Sequence, residues 1–329
     1  MTARNDVWRA LRWLGGELGL QTMKHAGRDV YILIIARYLR LFAYGAVALI
    51  IALYFEELGF SDARIGLFMT LTLLGDVFIS LLLTLVADSL GRRKTLFLGS
   101  VAMAISGAVF ARTSNYAALL MAAIVGVISP TGNEIGPFKA VEESTLAHLV
   151  PEAQRSDVFT WYVVLAVLGT SSGLIAGGQA VDHLQKLDGW TELDAFRAIF
   201  WVYTGLGCVK AIMTLFLSSR CEHHEEEEEE EEEETRDEDS PSETEPLLAG
   251  EEINALPTPP PVPTTETRRW NPFSKISKPT RWVLLKLCSL FFLDSLASGI
   301  VPFSLINFYI ERKFHLEKGK LGGIMSATW

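Results

Sequence analysis

Arg40, Asp76, Asn133, Glu134 and Asp294 stand inside long apolar stretches, where a charged or amide side chain has few uses. Isolated charge at the middle of a bilayer costs at least about 2.5 kcal/mol, so such residues face a partner or a water-filled path, where they hold an ion, a proton or a polar solute. At a helical rise of about 1.5 Å per residue, Asp76 lies about 20 Å from the outer start of its stretch. Asp294 is similarly deep in its own, and Arg40 is roughly 16 Å in if its helix starts at Asp29. Arg37 is shallower, and its long stem allows it to snorkel to the inner headgroups. Pairing Arg40 with Asp76 is the simplest neutralisation. Asn133 and Glu134 belong to a polar segment, Pro130 to Lys139, broken by Pro and Gly. Such a break is tolerated within a membrane where it lines a cavity or packs inside protein, which makes Glu134 a proton or cation site. The alternative is a helix end that unwinds into a loop.

The elements that must carry these residues are apolar runs near Tyr31 to Phe55, Ile65 to Val86, Thr95 to Ala111, Tyr116 to Ala140, Val158 to Val181, Ala195 to Ser218 and Trp282 to Ile310. Most are about 20 residues or longer, enough to cross a hydrocarbon core of roughly 30 Å as helices. They lack the polar face of a buried soluble helix. The chain is 49% hydrophobic yet holds 39 acidic and 29 basic residues, so charge is segregated from the runs. The expected fold is an all-α integral membrane protein in contact with the lipid bilayer. No apolar run precedes Asp29, so the first helix is expected to act as the insertion signal.

Lys and Arg set the orientation. The N-terminal tail and the loop after the second run are basic, whereas Glu56, Glu57 and Asp62 dominate the first outer loop, which puts the N-terminus inside. Arg312, Lys313, Lys318 and Lys320 conflict with this assignment, because the seventh run then ends outside. Four regions are expected: a cytoplasmic tail over 1–29, a six-helix bundle over 30–218, a disordered acidic and Pro-rich cytoplasmic linker over 219–280, and a seventh helix with a shortened eighth over 281–329. Glu225 to Glu234 is an unbroken acidic tract, and the net charge of -10 comes largely from the linker. Like charges repel and prolines build no core. Within the linker, Glu243, Leu247 and Leu248 resemble an acidic dileucine sorting signal for an adaptor. A chance match in a Glu-rich stretch is the alternative. The signal would favour a vacuolar or endolysosomal membrane over the plasma membrane.

Several chemistries find no support. Cys208, Cys221 and Cys288 form neither a disulfide framework nor a zinc spacing. His223 and His224 beside acidic residues read as part of a solvated charge run. No Walker loop is present, which disfavours direct ATP-driven transport. No metal, cofactor or nucleic acid is expected, and no enzymatic activity.

Between the second and third runs, Asp88, Gly91, Arg92, Arg93 and Lys94 resemble the signature loop of the major facilitator superfamily, with Thr84 where that family usually has Gly. Six helices, a long central linker and a further set of helices resemble its two-bundle architecture, in particular fungal-type members with an extended central loop. The resemblance implies a gating role for Asp88 and Arg92 and a fold of twelve helices around a central cavity, of which about four and a half would be missing here. Gly169, Gly173, Gly177 and Gly178 also resemble the family's antiporter-associated motif, with Leu174 in place of its Pro. Spacing of small residues four apart is sufficient for close helix packing. Without the Pro, the kink that antiport would rest on is lost. The expected function is secondary transport of a small solute by alternating access, with proton coupling left open. The rivals are a membrane receptor or scaffold acting through its acidic linker, and an inert truncated product.

Overall fold

The computed structural model describes residues 19–126, 137–221 and 301–328, with isolated positions 282, 286, 289, 290 and 293 between them. After a short helical turn at Leu20–His25 come α1 (Arg28–Glu57), α2 (Asp62–Leu90), α3 (Arg92–Arg112), α4 (Tyr116–Val125), α5 (Pro137–Leu149), α6 (Glu152–Gln185) and α7 (Glu192–Leu215). Two further helices, α8 (Phe303–Phe314) and α9 (Lys318–Thr328), follow. No strand occurs among the described residues.

Two compact units divide the chain. The larger holds Met1–His223 with Leu296–Trp329. In the other, His224–Ser295, the described positions Trp282, Lys286, Ser289, Leu290 and Leu293 are helical and exposed. The linker expected from 219 begins with an ordered turn, Ser219–Cys221, in which Cys221 is buried; the expectations for 222–280, including Glu243, Leu247 and Leu248, and for Asp294 lie outside the described residues.

Among the described helices α1, α3, α6 and α7 are long and apolar enough to cross a membrane. Their outward faces carry large exposed side chains such as Ile35, Ile105, Leu168, Val202 and Leu215, as does α2 at Leu74 and Phe78, a surface suited to lipid rather than water. The helices overrun their apolar cores. α6 begins at Glu152, six residues before the apolar run at Val158, because Pro151 can precede a helix and the polar first turns can project into water.

Helix ends follow local chemistry. Asn115 accepts from the amides of Ala117 and Ala118 to start α4, and Thr191 with Asp194 forms a capping box at the start of α7. Between α2 and α3 the chain turns on Gly91, whose φ of 87° is unfavourable for any residue with a Cβ. The short turn this permits sets Arg92 at the first position of α3.

Inside the bundle, apolar side chains form two separate clusters. One is built around Tyr54, Phe55, Phe68, Phe110 and Phe200, with ring centroids 4.3 Å apart for Phe55 and Phe68 and 4.9 Å for Phe110 and Phe200. The other gathers Val30, Leu33, Ile34, Leu96, Leu146, Val158, Tyr162 and Cys221 near the start of α1. Cys221 closes a short 3-10 turn, Ser219–Cys221, and the Asp29 carboxylate accepts from the Ser218 amide at 3.1 Å, tying the end of this segment to the start of α1. On α1 the inner cluster stops at Ile34 and the other begins at Ala43, which leaves Arg37 and Arg40 in the layer between them.

Candidate functional site

That layer is a buried charge cluster centred on a residue the sequence reading did not single out. Glu142, on α5, is 1% exposed. One of its oxygens accepts from Arg40 Nη2 at 2.6 Å and from the Tyr162 hydroxyl at 3.0 Å; the other lies 3.4 Å from Lys210 Nζ. Arg37 Nη1 sits 3.7 Å from the same carboxylate, donates to the Tyr162 oxygen at 2.6 Å, and its guanidinium lies 4.0 Å from the Tyr162 ring centroid. Four helices, α1, α5, α6 and α7, therefore meet on one carboxylate.

Two expectations are corrected here. Arg40 pairs with Glu142, not with Asp76. Arg37 does not snorkel: it is 5% exposed and packed on Tyr162. The reason is register, since residues three apart on a helix lie on neighbouring faces and both arginines of α1 reach the side where α5 and α6 approach. Lys210 carried a signal that was available. It is a cation within the sixth apolar run, and the cost argument applied to Arg40 applies equally to it.

Asp76 is placed differently. It sits 14 residues into α2, about 21 Å along the helix. It is 3% exposed, and its Oδ1 has no hydrogen-bond partner. Thr72, one turn earlier, donates its hydroxyl to the Phe68 carbonyl at 2.8 Å instead. Among the described helices, those packed on α2 are α1, α3, α4 and α5. α4 contributes no charged residue, and among the described residues no cation stands within ion-pair distance of Asp76.

Asn133 and Glu134 fall among residues 127–136, outside the described residues, and α4 and α5 flank that gap. Lys139 on α5 lies 3.9 Å from Glu143 on the same helix. The Asp88 backbone is helical within α2, and its side chain lies outside the description. Arg92 has one buried nitrogen, Nη1, without a hydrogen-bond partner; Arg93 reaches the Leu215 carbonyl at 3.4 Å, the C-terminus of α7, where a cation is favoured. Lys94 is exposed.

The glycines of α6 all meet backbone. A Cβ on Gly169 would lie 2.8 Å from the Tyr38 carbonyl, and one on Gly177 would lie 2.8 Å from the Ala46 Cα. A Cβ on Gly173 would collide with the Phe42 carbonyl, and one on Gly178 with the Lys318 carbonyl of α9. α6 runs as one helix through Leu174, with α1 against one side and α9 against another.

The basic residues that conflicted with the topology are mostly paired with acidic ones. Arg312 meets Asp62 at 2.9 Å, so the end of α8 and the start of α2 lie at the same end of the bundle. Lys318 contacts Glu311 at 2.7 Å and Glu192 at 3.1 Å, and Lys320 contacts Glu317 at 3.1 Å. Among the described residues no group of three or more His, Cys, Asp or Glu could hold a metal ion.

Residues 33–329 match the Major Facilitator Superfamily. The chain is 35% identical over 310 residues to the uncharacterized membrane protein YJR124C of Saccharomyces cerevisiae, covering 93% of this chain and 65% of that protein. It therefore spans less than two thirds of that relative's length. To the quinolone resistance protein NorA of Staphylococcus aureus it is 22% identical over 190 residues, 58% of this chain and 45% of that one. A crystal structure of a D-xylose-proton symporter aligns at a TM-score of 0.49 and 15% identity, over 63% of this chain and 52% of that chain. With the matched segment running from the first buried turns of α1 through α9, the chain belongs to the major facilitator superfamily, as an integral, multi-pass membrane protein.

Proposed function

We propose that this chain is part of a secondary transporter, not an enzyme, which moves a small solute across its membrane by alternating access and uses Asp76 as its proton-carrying group. The observation that carries the reading is the isolation of Asp76: a carboxylate deep in α2, 3% exposed, with one oxygen unpartnered. Ionised and neutral carboxyl groups differ greatly in their cost away from water. Among the described residues Asp76 has no ion pair, and a group so placed suits one protonation state when enclosed and the other when a cavity opens to it. That links proton occupancy to conformation, which is the requirement for coupling. Glu142 is a poor candidate for the same task, because three cations and a hydroxyl surround it. Its cluster instead holds α1, α5, α6 and α7 together as a unit able to move as one body.

The test is uptake of a panel of labelled sugars, amino acids and organic cations into proteoliposomes holding the full chain, with and without an inward proton gradient. Asp76→Asn is expected to retain the wild-type elution profile and melting temperature and to lose gradient-driven uptake. Gradient-driven uptake that survives in Asp76→Asn overturns the assignment.

For location, the reading favours a vacuolar or endolysosomal membrane through Glu243, Leu247 and Leu248. Replacing both leucines by Ala is expected to move the protein to the cell surface. An unchanged distribution removes this signal from consideration.

A further inference from the structure

At the end of the bundle where α1 and α3 begin and α7 finishes, two guanidinium groups are fixed on consecutive residues. Arg93 of α3 donates from Nη2 to the carbonyl of Leu215, the last residue of α7, at 3.4 Å. Arg28, the first residue of α1, holds its guanidinium 5.8 Å from the ring centroid of Phe216. Asp29, next to Arg28, turns its carboxylate to the Ser218 amide, at 3.1 Å, and to the Ser218 hydroxyl, a tie that keeps the start of α1 against the end of α7. Among the described residues Arg28, Arg93 and the exposed Lys94 form no ion pair. α3 opens with Arg92, Arg93 and Lys94 and no acidic residue in its first turn, although a helix start repels cations through its dipole. An anion bound there would offset that cost. Deeper along the same helices the surface is apolar and open. One turn on from Arg93 and Lys94, on the same faces of α3, Phe97 and Leu98 are exposed, and on α7 so are Ile212, Leu215 and Phe216. Further along, the two helices lie backbone to backbone, where a Cβ on Gly207 would fall 2.8 Å from the Ala104 nitrogen.

We infer that this edge is a binding site for one anionic phospholipid: Arg28 and Arg93 take its phosphate, Lys94 adds charge beside them, and the acyl chains lie along the exposed apolar rows of α3 and α7. Three observations separate the site from the general basic character of one membrane face. First, cations that only set topology extend freely into the headgroups. Arg93 is instead held at a helix C-terminus, where a cation is favoured, and Arg28 is held on an aromatic ring. A guanidinium fixed by one hydrogen bond keeps its other N–H groups for a phosphate, whose oxygens match that planar fork. Second, charge and apolar surface are stacked one helical turn apart, in the order of phosphate and acyl chain within a single lipid. A free phosphate would make no use of Phe97, Leu98 or Ile212. Third, the cations come from two helix starts and rest on the end of a third helix, so one bound headgroup would tie α1, α3 and α7 together.

The test is native mass spectrometry of the full chain in detergent, titrated with dioleoylphosphatidylserine or with dioleoylphosphatidylcholine. The unmodified protein is expected to hold one serine lipid about tenfold or more tightly than a choline lipid, a tenfold ratio being about 1.4 kcal/mol. Arg28→Gln combined with Arg93→Gln should bring the two lipids within about twofold of each other, since cations near the surface supply the attraction to anionic lipid. Arg64→Gln combined with Arg112→Gln removes the same charge from exposed positions at the other end of the bundle, where α2 starts and α3 finishes, and should leave the preference intact. The site is overturned by equal affinity for the two lipids, by a preference that survives in the Arg28 and Arg93 variant, or by an equal loss in the Arg64 and Arg112 variant. Displacement of the serine lipid by inorganic phosphate at the same concentration also overturns it, in favour of a free anion. If the Arg28 and Arg93 variant does not fold, the unmodified protein decides: a diazirine-bearing phosphatidylserine in phosphatidylcholine liposomes should label the peptides holding Phe97 and Phe216, and labelling confined to other peptides overturns the site. No readout involves Asp76 or uptake, so failure here leaves the coupling proposal to its own test.

Discussion

Replacing Glu142 by Gln keeps the size of the side chain and one acceptor oxygen while removing the charge on which four helices converge. In the native arrangement Arg40, Lys210 and Arg37 lie 2.6, 3.4 and 3.7 Å from the carboxylate. At an effective dielectric of about 20, such pairs gain about 4–6 kcal/mol of Coulomb energy each. Against that stands a desolvation penalty of several kcal/mol for each buried ion, so the net worth of the cluster is far below the sum of its pairs. Removing one partner is a different operation, because the cations remain desolvated and lose their counter-charge. The expected loss is about 3–5 kcal/mol. At roughly 2–4 °C per kcal/mol for a chain of this size, Glu142→Gln should lower the melting temperature by about 6–20 °C. The assay is thermal unfolding of detergent-solubilised protein followed by size-exclusion recovery, with a double-mutant cycle added. Glu142→Leu combined with Met at positions 37, 40 and 210 should recover much of the loss, since a buried ionic cluster replaced whole by apolar groups is often neutral or better, whereas Arg40→Met with Glu142→Leu alone leaves Arg37 and Lys210 without a counter-charge and should not. Arg40 combined with Asp76→Asn should be additive within about 0.5 kcal/mol. A melting temperature within about 1 °C of wild type for Glu142→Gln, or strong coupling between Arg40 and Asp76, refutes the reasoning.

At the contact of α1 and α6, Gly173→Ala forces a methyl group against the Phe42 carbonyl and should cost about 1–3 kcal/mol, whereas Gly66→Ala on α2, with open space around it, should be neutral or stabilising by up to about 1 kcal/mol; melting temperatures in the opposite order would count against the packing. For topology, Cys221 is fully buried and makes a poor probe, but Arg220 beside it is exposed. With the native cysteines replaced, Arg220→Cys should react with an impermeant thiol reagent only after the membrane is opened, and reaction in intact right-side-out cells would reverse the orientation.

Much of the architecture was legible in the chain itself. Apolar runs of about 20 residues require helices in a bilayer, because lipid offers the backbone no hydrogen bonds, and this holds whichever residues the helices later touch. Asp88, Gly91 and the basic residues after them pointed to the family that the match over 33–329 then showed. The α6 glycines predicted close approach, but not that Gly169, Gly173 and Gly177 would meet α1 while Gly178 meets α9. That division depends on where two other helices cross, which spacing along α6 does not encode.

Partner choice among charges belonged to the tertiary structure alone. The cost of midplane charge marked Arg40 and Asp76 as needing explanation and says nothing about which of them meet. Helix rotation decided it: Arg37 and Arg40 turn toward Tyr162 and Glu142, Lys210 arrives from α7, and Asp76 is left on α2 without an ion pair among the described residues. Asp182 and the start of α9 are 136 residues apart, and no local pattern pairs them. Hydrophobic run length is a property of one segment, and a single chain determines it. A salt bridge between segments is a property of their relative rotation and depth, and these are fixed only when all the helices are packed.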